Sequence, residues 1–501
     1  MLFRAAVVTW GLQRCRSFDL PLSMRLPKGS VARVASAFAG IDLGDPRRQK
    51  RLNKTVSRLA RMPNASFPEA MGGESDLEGA YRFANNQSVE PQQLFDALAA
   101  SAAARAKEVG SVLVIHDTTT CTFEHADPDE VGYLSTGKAG FFAHFALVLD
   151  GNAWRRPLGV VHVETISREQ RSKRGRKNKA SGAETAQWKN RESARWQRGV
   201  EASAKLLDGC RSVCHIADRE GDSYALLAAM LEKRLSFVVR INHDRKVSEP
   251  DDLVQQWFPL KEYVQGLSGT FEREVALSER KGSAAPRASK SHPVRNARLA
   301  TLSFSATTVV LKRPAYLRDP IAKTLTLNVV HVIEPNPPTG EPPVEWLLFT
   351  TLPVDSQKKV ATVVDNYRAR WTIEEFNKAF KTGCSYESRE FETLHALLLV
   401  LAITLPIACE LLWLRSRARN QPDAPAADVL TTQQLVVLRR LGSRPLPPKP
   451  TARDALWAVA GLGGHLKRNG EPGWLVLHRG MRTLLTYEAG YEAGLQARRK
   501  P

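Results

Sequence analysis

Cysteine is scarce in this sequence and never occurs in the pairs that bind zinc. The 501 residues include six cysteines: Cys15, Cys121, Cys210, Cys214, Cys384 and Cys409. No two of them form a Cys-x2-Cys pair, so the sequence indicates neither a zinc site nor a disulfide framework. Scattered cysteines are typical of a protein whose thiols stay reduced, and we therefore expect a cytosolic location.

Long uninterrupted hydrophobic runs are also missing. The longest apolar stretch, residues 396–414, contains Pro406 and Glu410. Its uninterrupted part is shorter than the roughly 20 residues that a membrane-spanning helix needs. We therefore predict a helix buried inside the protein, and we expect no membrane partner.

Acidic residues are too few to balance the basic ones. Lys and Arg number 72 against 52 Asp and Glu, which leaves a formal net charge of +20. A surplus of this size indicates a polyanionic partner, most often nucleic acid. Hydrophobic residues at 43% and charged residues at 25% are ordinary for a globular protein. This composition excludes a wholly disordered chain, a collagen-like chain and a coiled-coil rod.

The N-terminal segment, residues 1–38, is richer still in basic residues. It contains six of them and one acid, Asp19. Such a composition is typical of a mitochondrial transit peptide. The alternatives are a disordered basic tail, or a start codon assigned too far upstream, with Met24 as one later candidate. We expect a basic N-terminal extension over residues 1–38 that is either disordered or the result of a mis-assigned start.

Residues 39–105 have a helical pattern. Leu52, Val56 and Leu59 recur at helical spacing beside many cations. Asp45 followed by Pro46 is a typical helix start. We predict a small helical DNA-binding domain whose basic face contacts the DNA backbone. An ordinary solvated helix face is the alternative.

Apolar runs typical of strands follow over residues 106–420. Those starting at Val109, Phe141 and Pro157 indicate consecutive antiparallel strands. The segment 246–345 is predicted to be a β-rich insertion, and Ser356–Thr382 a long helical stretch. Residues 421–501 are predicted to be helical again. The basic loops at 168–179 and 280–298 carry no assigned role.

Two predicted strands each end in an aspartate, in the motifs HDTTT and ADREGD. These residues are Asp117 and Asp218. Carboxylates at the ends of neighbouring strands can converge at one edge of a sheet. Together with a third acid they would offer the hard oxygen ligands that Mg²⁺ prefers. Each aspartate alone is a weak signal, because turns and helix caps also place Asp there.

The predicted helix carries a suitable third acid. At about 100° per residue, Glu374 and Lys381 fall within about 40° of Arg370, whereas Glu375 lies near 140°. This favours Glu374 over Glu375 as the acid that faces a phosphate. A ladder of surface salt bridges is the alternative, worth only a few tenths of a kcal/mol per pair.

These motifs resemble a known family. Tyr367, Arg370, Glu374 and Lys381 follow a Tyr-x2-Arg-x3-Glu-x6-Lys spacing, and the two aspartate motifs precede them. Segments such as LGDPRRQKRL, EGAYRFANN, EWLLFTTLPV and RARWTIEEFNKAFKTGC are also similar to the family, in the same order. The sequence resembles DDE transposases of the insertion-sequence-four branch, which includes the transposon-five transposase, over about residues 38–485.

The resemblance implies a fold and an active site. The fold is an α/β RNase H-like catalytic core with a β-rich insertion, flanked by helical N-terminal and C-terminal domains. Asp117, Asp218 and Glu374 match the catalytic residues and metal ligands of the family, which hold two Mg²⁺ ions, with Mn²⁺ as a substitute. The C-terminal segment, 421–501, matches a dimerisation domain.

The resemblance also implies contacts with DNA. Arg370 and Lys381 match positions that grip phosphates at the cleaved transposon end, with Tyr367 beside them. Trp346 matches the aromatic side chain on which a flipped base stacks, although a buried strand residue is the alternative. Arg240 matches a further DNA-contacting position.

The function implied is cut-and-paste transposition of an insertion sequence. The expected steps are end nicking, hairpin formation and strand transfer, carried out by a homodimer that bridges two double-stranded DNA ends in a bacterial cytoplasm, at the nucleoid. Two alternatives stay open. One is an inactive DNA-binding relic or inhibitor of transposition, and the other is a structure-specific nuclease without strand transfer.

Overall fold

The fold is a mixed α/β arrangement around one large sheet, seen in a computed structural model. The structure describes residues 29–134, 136–152, 155–168, 194–252, 254–269, 271–277, 279, 294–318, 320–442 and 444–497. Residues 1–28 and most of the two basic loops therefore lie outside the described residues, and so do the expectations that concern them.

Helices form both ends of the described chain. The first group is α1 (Ser30–Ser36), α2 (Pro46–Arg61), α3 (Phe67–Met71), α4 (Glu74–Ala84) and α5 (Pro91–Val109). The last group is α12 (Leu394–Asn420), α13 (Thr432–Leu441), α14 (Ala452–Leu462) and α15 (Trp474–Ala497). Between them lie α6 (Pro128–Val131), α7 (Arg195–Leu206), α8 (Tyr224–Glu232), α9 (Leu260–Gln265), α10 (Gln357–Arg368) and α11 (Trp371–Lys378).

Eleven strands form the sheet in the described part of the chain. They are β1 (Ser111–Thr122), β2 (Gly140–Asp150), β3 (Pro157–Ile166), β4 (Ser212–Ala217), β5 (Ser236–Arg240), β6 (Lys246–Ser248), β7 (Phe258–Pro259), β8 (Phe271–Leu277), β9 (Arg298–Lys312), β10 (Thr324–Ile333) and β11 (Glu345–Thr350). Their order is β3-β2-β1-β4-β5-β11-β10-β9-β6-β7, and β8 pairs with β9.

The sheet has a parallel centre. Strands β1, β4 and β5 run parallel, and β2 and β3 join β1 on the other side as antiparallel neighbours. The predicted antiparallel strands are thus confirmed. The order β3-β2-β1-β4-β5 fits an RNase H-like core. Strands β6 to β10 lie in the predicted insertion, and they continue the same sheet beyond β11.

The N-terminal helices agree with the sequence pattern. Helix α2 begins at Pro46, and the Asp45 side chain accepts a hydrogen bond from the Arg47 amide at 2.7 Å. Leu52, Val56 and Leu59, the apolar residues of the predicted face, are all buried. These predictions are confirmed.

Part of the expected N-terminal extension is folded. Helix α1 begins at Ser30, inside the segment assigned to an extension. Val34 and Phe38 are buried in the main hydrophobic core, because α1 packs against α2 and α12. The expectation of a disordered extension is therefore wrong for the described residues 29–38, whereas a start at Met24 stays an untested alternative.

Helix α12 is the long apolar segment of the sequence. By length and composition alone it could span a membrane, but 78% of its most apolar window is buried inside the protein. Pro406 lies within this helix, and Glu410 accepts a hydrogen bond from Arg33 of α1 at 2.7 Å. The prediction of a buried helix is confirmed.

The long helical stretch is not one helix. Helix α10 ends at Arg368, α11 begins at Trp371, and a single π-helical turn, Ala379–Gly383, follows α11. At the break the amides of Thr372 and Ile373 bond to carbonyls three residues back, at 3.0 and 3.1 Å. The prediction of a long helical stretch over Ser356–Thr382 is therefore confirmed, but the stretch consists of three helical segments and not of one regular helix.

Candidate active site

The parallel pair of β1 and β4 brings the two aspartates side by side. Its last paired residues are Ile115 and Ile216, and each aspartate lies two positions further along its strand direction. Asp218 follows the last residue of β4, and its Oδ1 accepts a hydrogen bond from the Glu220 amide at 2.8 Å. Strand register therefore places Asp117 and Asp218 at one point of the sheet.

Asp117 lies within its strand and not at the strand end. Strand β1 continues to Thr122, and Asp117 pairs with Phe145 of β2. The prediction that this strand ends at Asp117 is therefore wrong. Only the parallel pairing with β4 stops before Asp117, because the chain turns away after Ala217.

Helix α11 covers this point through aromatic packing. Phe376 and Phe380 contact the Phe145 ring edge-on, at centroid distances of 5.8 and 5.7 Å. Phe145 is the β2 partner of Asp117, so this packing lays α11 across the strand that carries the aspartate. The polar face of α11 then meets Asp117.

Glu374 is on that polar face but is engaged by a cation. Its Oε1 accepts a hydrogen bond from Arg370 Nη2 at 2.6 Å. Across the described residues, no three His, Cys, Asp or Glu side chains stand close enough together to form a metal cluster. Strand register and the contact of α11 with β1 nevertheless bring Asp117, Asp218 and Glu374 into one region of the fold.

The three carboxylates nevertheless influence one another. Burial and, to a smaller extent, the negative charges of Asp218 and Glu374 raise the pKa of Asp117, while Arg370 lowers it, and the net pKa is about 7. Two or more acids that share a site cannot all ionise freely without a compensating cation. Strongly perturbed acids of this kind are typical of functional sites.

Asn377 belongs to the site, although sequence analysis did not select it. Its Nδ2 lies 3.3 Å from Asp117 Oδ2. Its Oδ1 is buried and has no hydrogen-bond partner in the described part of the chain. The signal in the sequence is its position three residues after Glu374, on the same face of the helix.

Buried histidines support the opposite face of β1. His116 Nε2 lies 3.0 Å from His215 Nδ1, and Thr118 Oγ1 lies 2.9 Å from His144 Nδ1. Burial lowers the pKa of His215 to about 4 and that of His144 to about 3, so both rings are neutral at pH 7. Sequence analysis missed this support because the three strands meet only in the fold.

Four of the predicted DNA-contacting residues form one contiguous row beside the acids. The Trp346 and Tyr367 rings are 5.5 Å apart, and the Arg240 guanidinium lies 6.0 Å from the Trp346 ring. Arg370 lies 6.0 Å from the Tyr367 ring. Trp346 is half-buried and Tyr367 is buried, so Tyr367 supports its neighbours more than it meets solvent. We call Arg240, Trp346, Tyr367 and Arg370 the arginine–aromatic row.

Lys381 lies apart from this row. It is in the π-helical turn, where its Nζ contacts the Thr120 carbonyl and lies 3.4 Å from Glu387 Oε1. Lys381 and Asn377 both contact β1, at Thr120 and Asp117, so Lys381 lies on the face that the helical spacing predicted although it is within a π-helical turn. The angles predicted for Glu374 and Glu375 agree with their separate partners.

Comparison with known families agrees with this geometry. Residues 32–89 match the family "Transposase DNA-binding", and residues 184–405 match the family "Transposase DDE domain". The second match includes Asp218 and Glu374 but begins after Asp117. Together the two matches support a DDE transposase: the chain is similar to a transposase DNA-binding domain, followed by a transposase DDE domain.

One solved structure is also similar, the cryo-EM structure of the piggyBac transposase synaptic complex with hairpin DNA. The TM-score is 0.34 and the sequence identity 10%, over 74% of this chain and 66% of that chain. This chain therefore spans just under two thirds of that relative. A similarity at this level carries no argument about the site.

Proposed function

We propose that the protein is a DDE transposase of the insertion-sequence-four branch, which moves an insertion sequence by cut-and-paste transposition. The observation that carries this proposal is the meeting of Asp117 and Asp218 under a helix that bears Glu374. The reaction proceeds by end nicking, hairpin formation and strand transfer. All three are displacements at phosphorus, so one site can perform them in turn.

The residues present suit divalent metal ions. Asp117, Asp218 and Glu374 would hold two Mg²⁺, and Mn²⁺ could substitute. Asp117 is buried beside the negative charges of Asp218 and Glu374, which together raise its pKa, and a bound cation would offset both effects. The unpartnered Asn377 Oδ1 is a hard oxygen of the kind that Mg²⁺ prefers. When bound, such ions activate the attacking oxygen and stabilise the leaving one.

Arg370 would act as the link between DNA and the acids. In the DNA-free protein its guanidinium holds Glu374. A phosphate can accept the same paired N–H donors, and Arg suits phosphate geometry well. DNA binding would therefore draw Arg370 from Glu374 to a phosphate and free the Glu374 carboxylate to join Asp117 and Asp218.

The rest of the arginine–aromatic row would hold the DNA end. Trp346 would receive a flipped base on its ring, which offsets part of the stacking lost when DNA is bent into a hairpin. Arg240 and Lys381 would contact phosphates. The reaction would take place in a homodimer in the cytoplasm, on double-stranded DNA, with the helices from residue 421 onward supplying the dimer contact.

The test is cleavage of a DNA fragment that carries the element's inverted repeat. We expect purified protein and Mg²⁺ to give a nick and then a hairpin on a denaturing gel, and EDTA to abolish both. Nicks without hairpins would indicate a nuclease, and a band shift without cleavage would indicate a binding protein; either result would contradict the proposal.

Alanine variants of the acids test the site itself. Asp117→Ala, Asp218→Ala and Glu374→Ala should each lower nicking by at least about 10³-fold, in the range seen when a catalytic unit is broken. Binding to the DNA end, measured by gel shift, should persist, because phosphate contacts dominate affinity. Full nicking activity in any one variant would remove that residue from the site.

A further inference from the structure

Glu375, the neighbour of Glu374, points away from the acids and has its own set of partners. Its Oε2 accepts a hydrogen bond from Trp474 Nε1 at 3.1 Å and lies 3.5 Å from Arg415 Nη1. Lys378 Nζ is 3.3 Å from Oε1, and Arg419 Nη1 is 3.7 Å from Oε2. The side chain is 13% exposed. We call these five residues the Glu375 cluster.

The Glu375 cluster joins three helices at one carboxylate. Glu375 is on α11, Arg415 and Arg419 are on α12, and Trp474 is the first residue of α15. The Arg415 guanidinium also lies 4.5 Å from the Trp474 ring. Although burial alone would raise the pKa of Glu375, its three cationic neighbours lower it, so the carboxylate is charged at pH 7.

Helix α11 is short, so contacts with the rest of the fold set its orientation. It has eight residues, follows a break at Arg370 and ends in a π-helical turn. A helix of this length is not stable by itself, so tertiary contacts set its rotation. Successive residues differ by about 100° around a helix, so fixing the direction of Glu375 also fixes that of Glu374.

We propose that Glu375 is a positioning residue: through it, the C-terminal helices set the rotation of α11 so that Glu374 reaches Asp117 and Asp218. This inference rests on the proposed function of the site. It assigns separate roles to two adjacent glutamates, one facing the acids and one holding the helix. It also makes Trp474, about 100 residues away in sequence, a determinant of metal binding.

Two variants test the proposal in the full-length protein. Glu375→Gln removes the charge with little change in volume. Trp474→Phe removes the Nε1–H donor and keeps a ring for Arg415. The matched control is Asp355→Asn, since Asp355 is 66% exposed and its only recorded ion pair in the described chain is with Lys359. Each protein is measured for thermal unfolding, for DNA-end binding and for single-turnover nicking. Mn²⁺ binding is measured by electron paramagnetic resonance in the complex with the DNA end, in which Glu374 would be free of Arg370.

We expect end binding within about twofold of wild type, because a positioning residue does not touch DNA phosphates. Mn²⁺ affinity and the nicking rate should both fall by about 10- to 100-fold in Glu375→Gln, as when a group supporting a metal ligand is lost. Trp474→Phe should change both in the same direction by a smaller factor. The Asp355→Asn control should match wild type.

Two results would overturn the inference. One is wild-type Mn²⁺ affinity and nicking in Glu375→Gln. The other is a loss of nicking that merely follows the unfolded fraction, together with an equal loss of end binding. The proposed function is tested separately. Wild-type protein that binds Mn²⁺ but cuts no DNA would contradict the transposase proposal. The Mn²⁺ affinities of the two variants would then support or overturn the positioning role.

Discussion

At the scale of single residues, the site is defined by charges that the protein does not fully compensate. Asp117 is largely buried, and its carboxyl has the charges of Asp218 and Glu374 nearby, so its pKa rises to about 7 from an ordinary value of 3.8. The folded protein therefore holds a proton that the unfolded chain releases near pH 4. A bound proton of this kind links folding stability to pH.

The sign of this link gives a prediction. Between pH 4 and 7 the folded state binds more protons than the unfolded state, so raising the pH favours unfolding. Asp117→Asn has no proton to lose. Relative to wild type, the free energy of unfolding of Asp117→Asn should therefore increase by on the order of 2–4 kcal/mol between pH 4 and 7, at 1.36 kcal/mol per pKa unit. Above pH 7 the difference should level off.

The measurement is urea unfolding in EDTA at several pH values. Asp355→Asn serves as the control, because an exposed ion pair contributes little. If the difference in free energy of unfolding between Asp117→Asn and wild type stays constant from pH 4 to 8, the pKa of Asp117 is not raised in the folded protein.

At the scale of elements, the π-helical turn after α11 is a close packing contact for α15. A Cβ atom built on Gly383 would lie 1.9 Å from His478 Cε1 and 2.2 Å from Nε2. His478 is buried on α15, and its Nδ1 is 2.6 Å from the Trp474 carbonyl oxygen, so the ring has little freedom. Gly383 thus permits α15 to pack directly on the π-helical turn that carries Lys381.

Gly383→Ala should be destabilising for this reason. We expect a loss of about 1–3 kcal/mol, the usual cost of overpacking a core. Gly490→Ala on α15 is the control: that glycine is exposed and has no atom within 4 Å of an added Cβ among the described residues. Alanine there should raise stability by up to about 1 kcal/mol through helix propensity. Chemical denaturation measures the free energy of unfolding of both variants. Equal changes in the two would contradict a close contact between Gly383 and His478.

The same elements show what the sequence could and could not predict. A regular helix explains the contacts of Arg370, Glu374 and Asn377, because they lie within the two turns before the irregularity. The π-helical turn that carries Lys381 could not be predicted, since no residue type marks such a turn. Strand patterns located both aspartates, but the position of Asp117 within β1 depended on pairing with β2, which is a tertiary feature.

At the scale of the whole molecule, the N-terminal helices dock onto the segment that follows the active-site helix. The Phe391 ring packs against Phe67 and Tyr81, at centroid distances of 5.1 and 5.7 Å. Buried Arg389 donates hydrogen bonds to the carbonyls of Ala65, at 2.7 Å, and Cys384, at 3.1 Å. Composition and periodicity predict the helical ends, but they cannot predict a contact between residues 324 positions apart.

This docking gives a further prediction, with two arginines as a matched pair. Arg389 is buried and bonds to backbone carbonyls, whereas Arg482 of α15 pairs with Glu69 at 3.1 Å on the surface. Arg389→Met should cost about 3 kcal/mol, because it leaves buried carbonyls without donors. Arg482→Met should cost less than about 1 kcal/mol, as an exposed ion pair.

Limited proteolysis and urea unfolding together test the pair. If Arg389 holds the two regions together, Arg389→Met should also become sensitive to cleavage between α2 and α4, because the carbonyls of Pro63 and Ala65 that it binds lie in that region. Arg482→Met should be cut as slowly as wild type. Equal stability losses in the two variants would mean that the docking depends on the Phe391 contacts and not on Arg389. The DNA-binding helices would then be joined to the active-site segment by apolar packing alone, and the orientation between them would be correspondingly less specific.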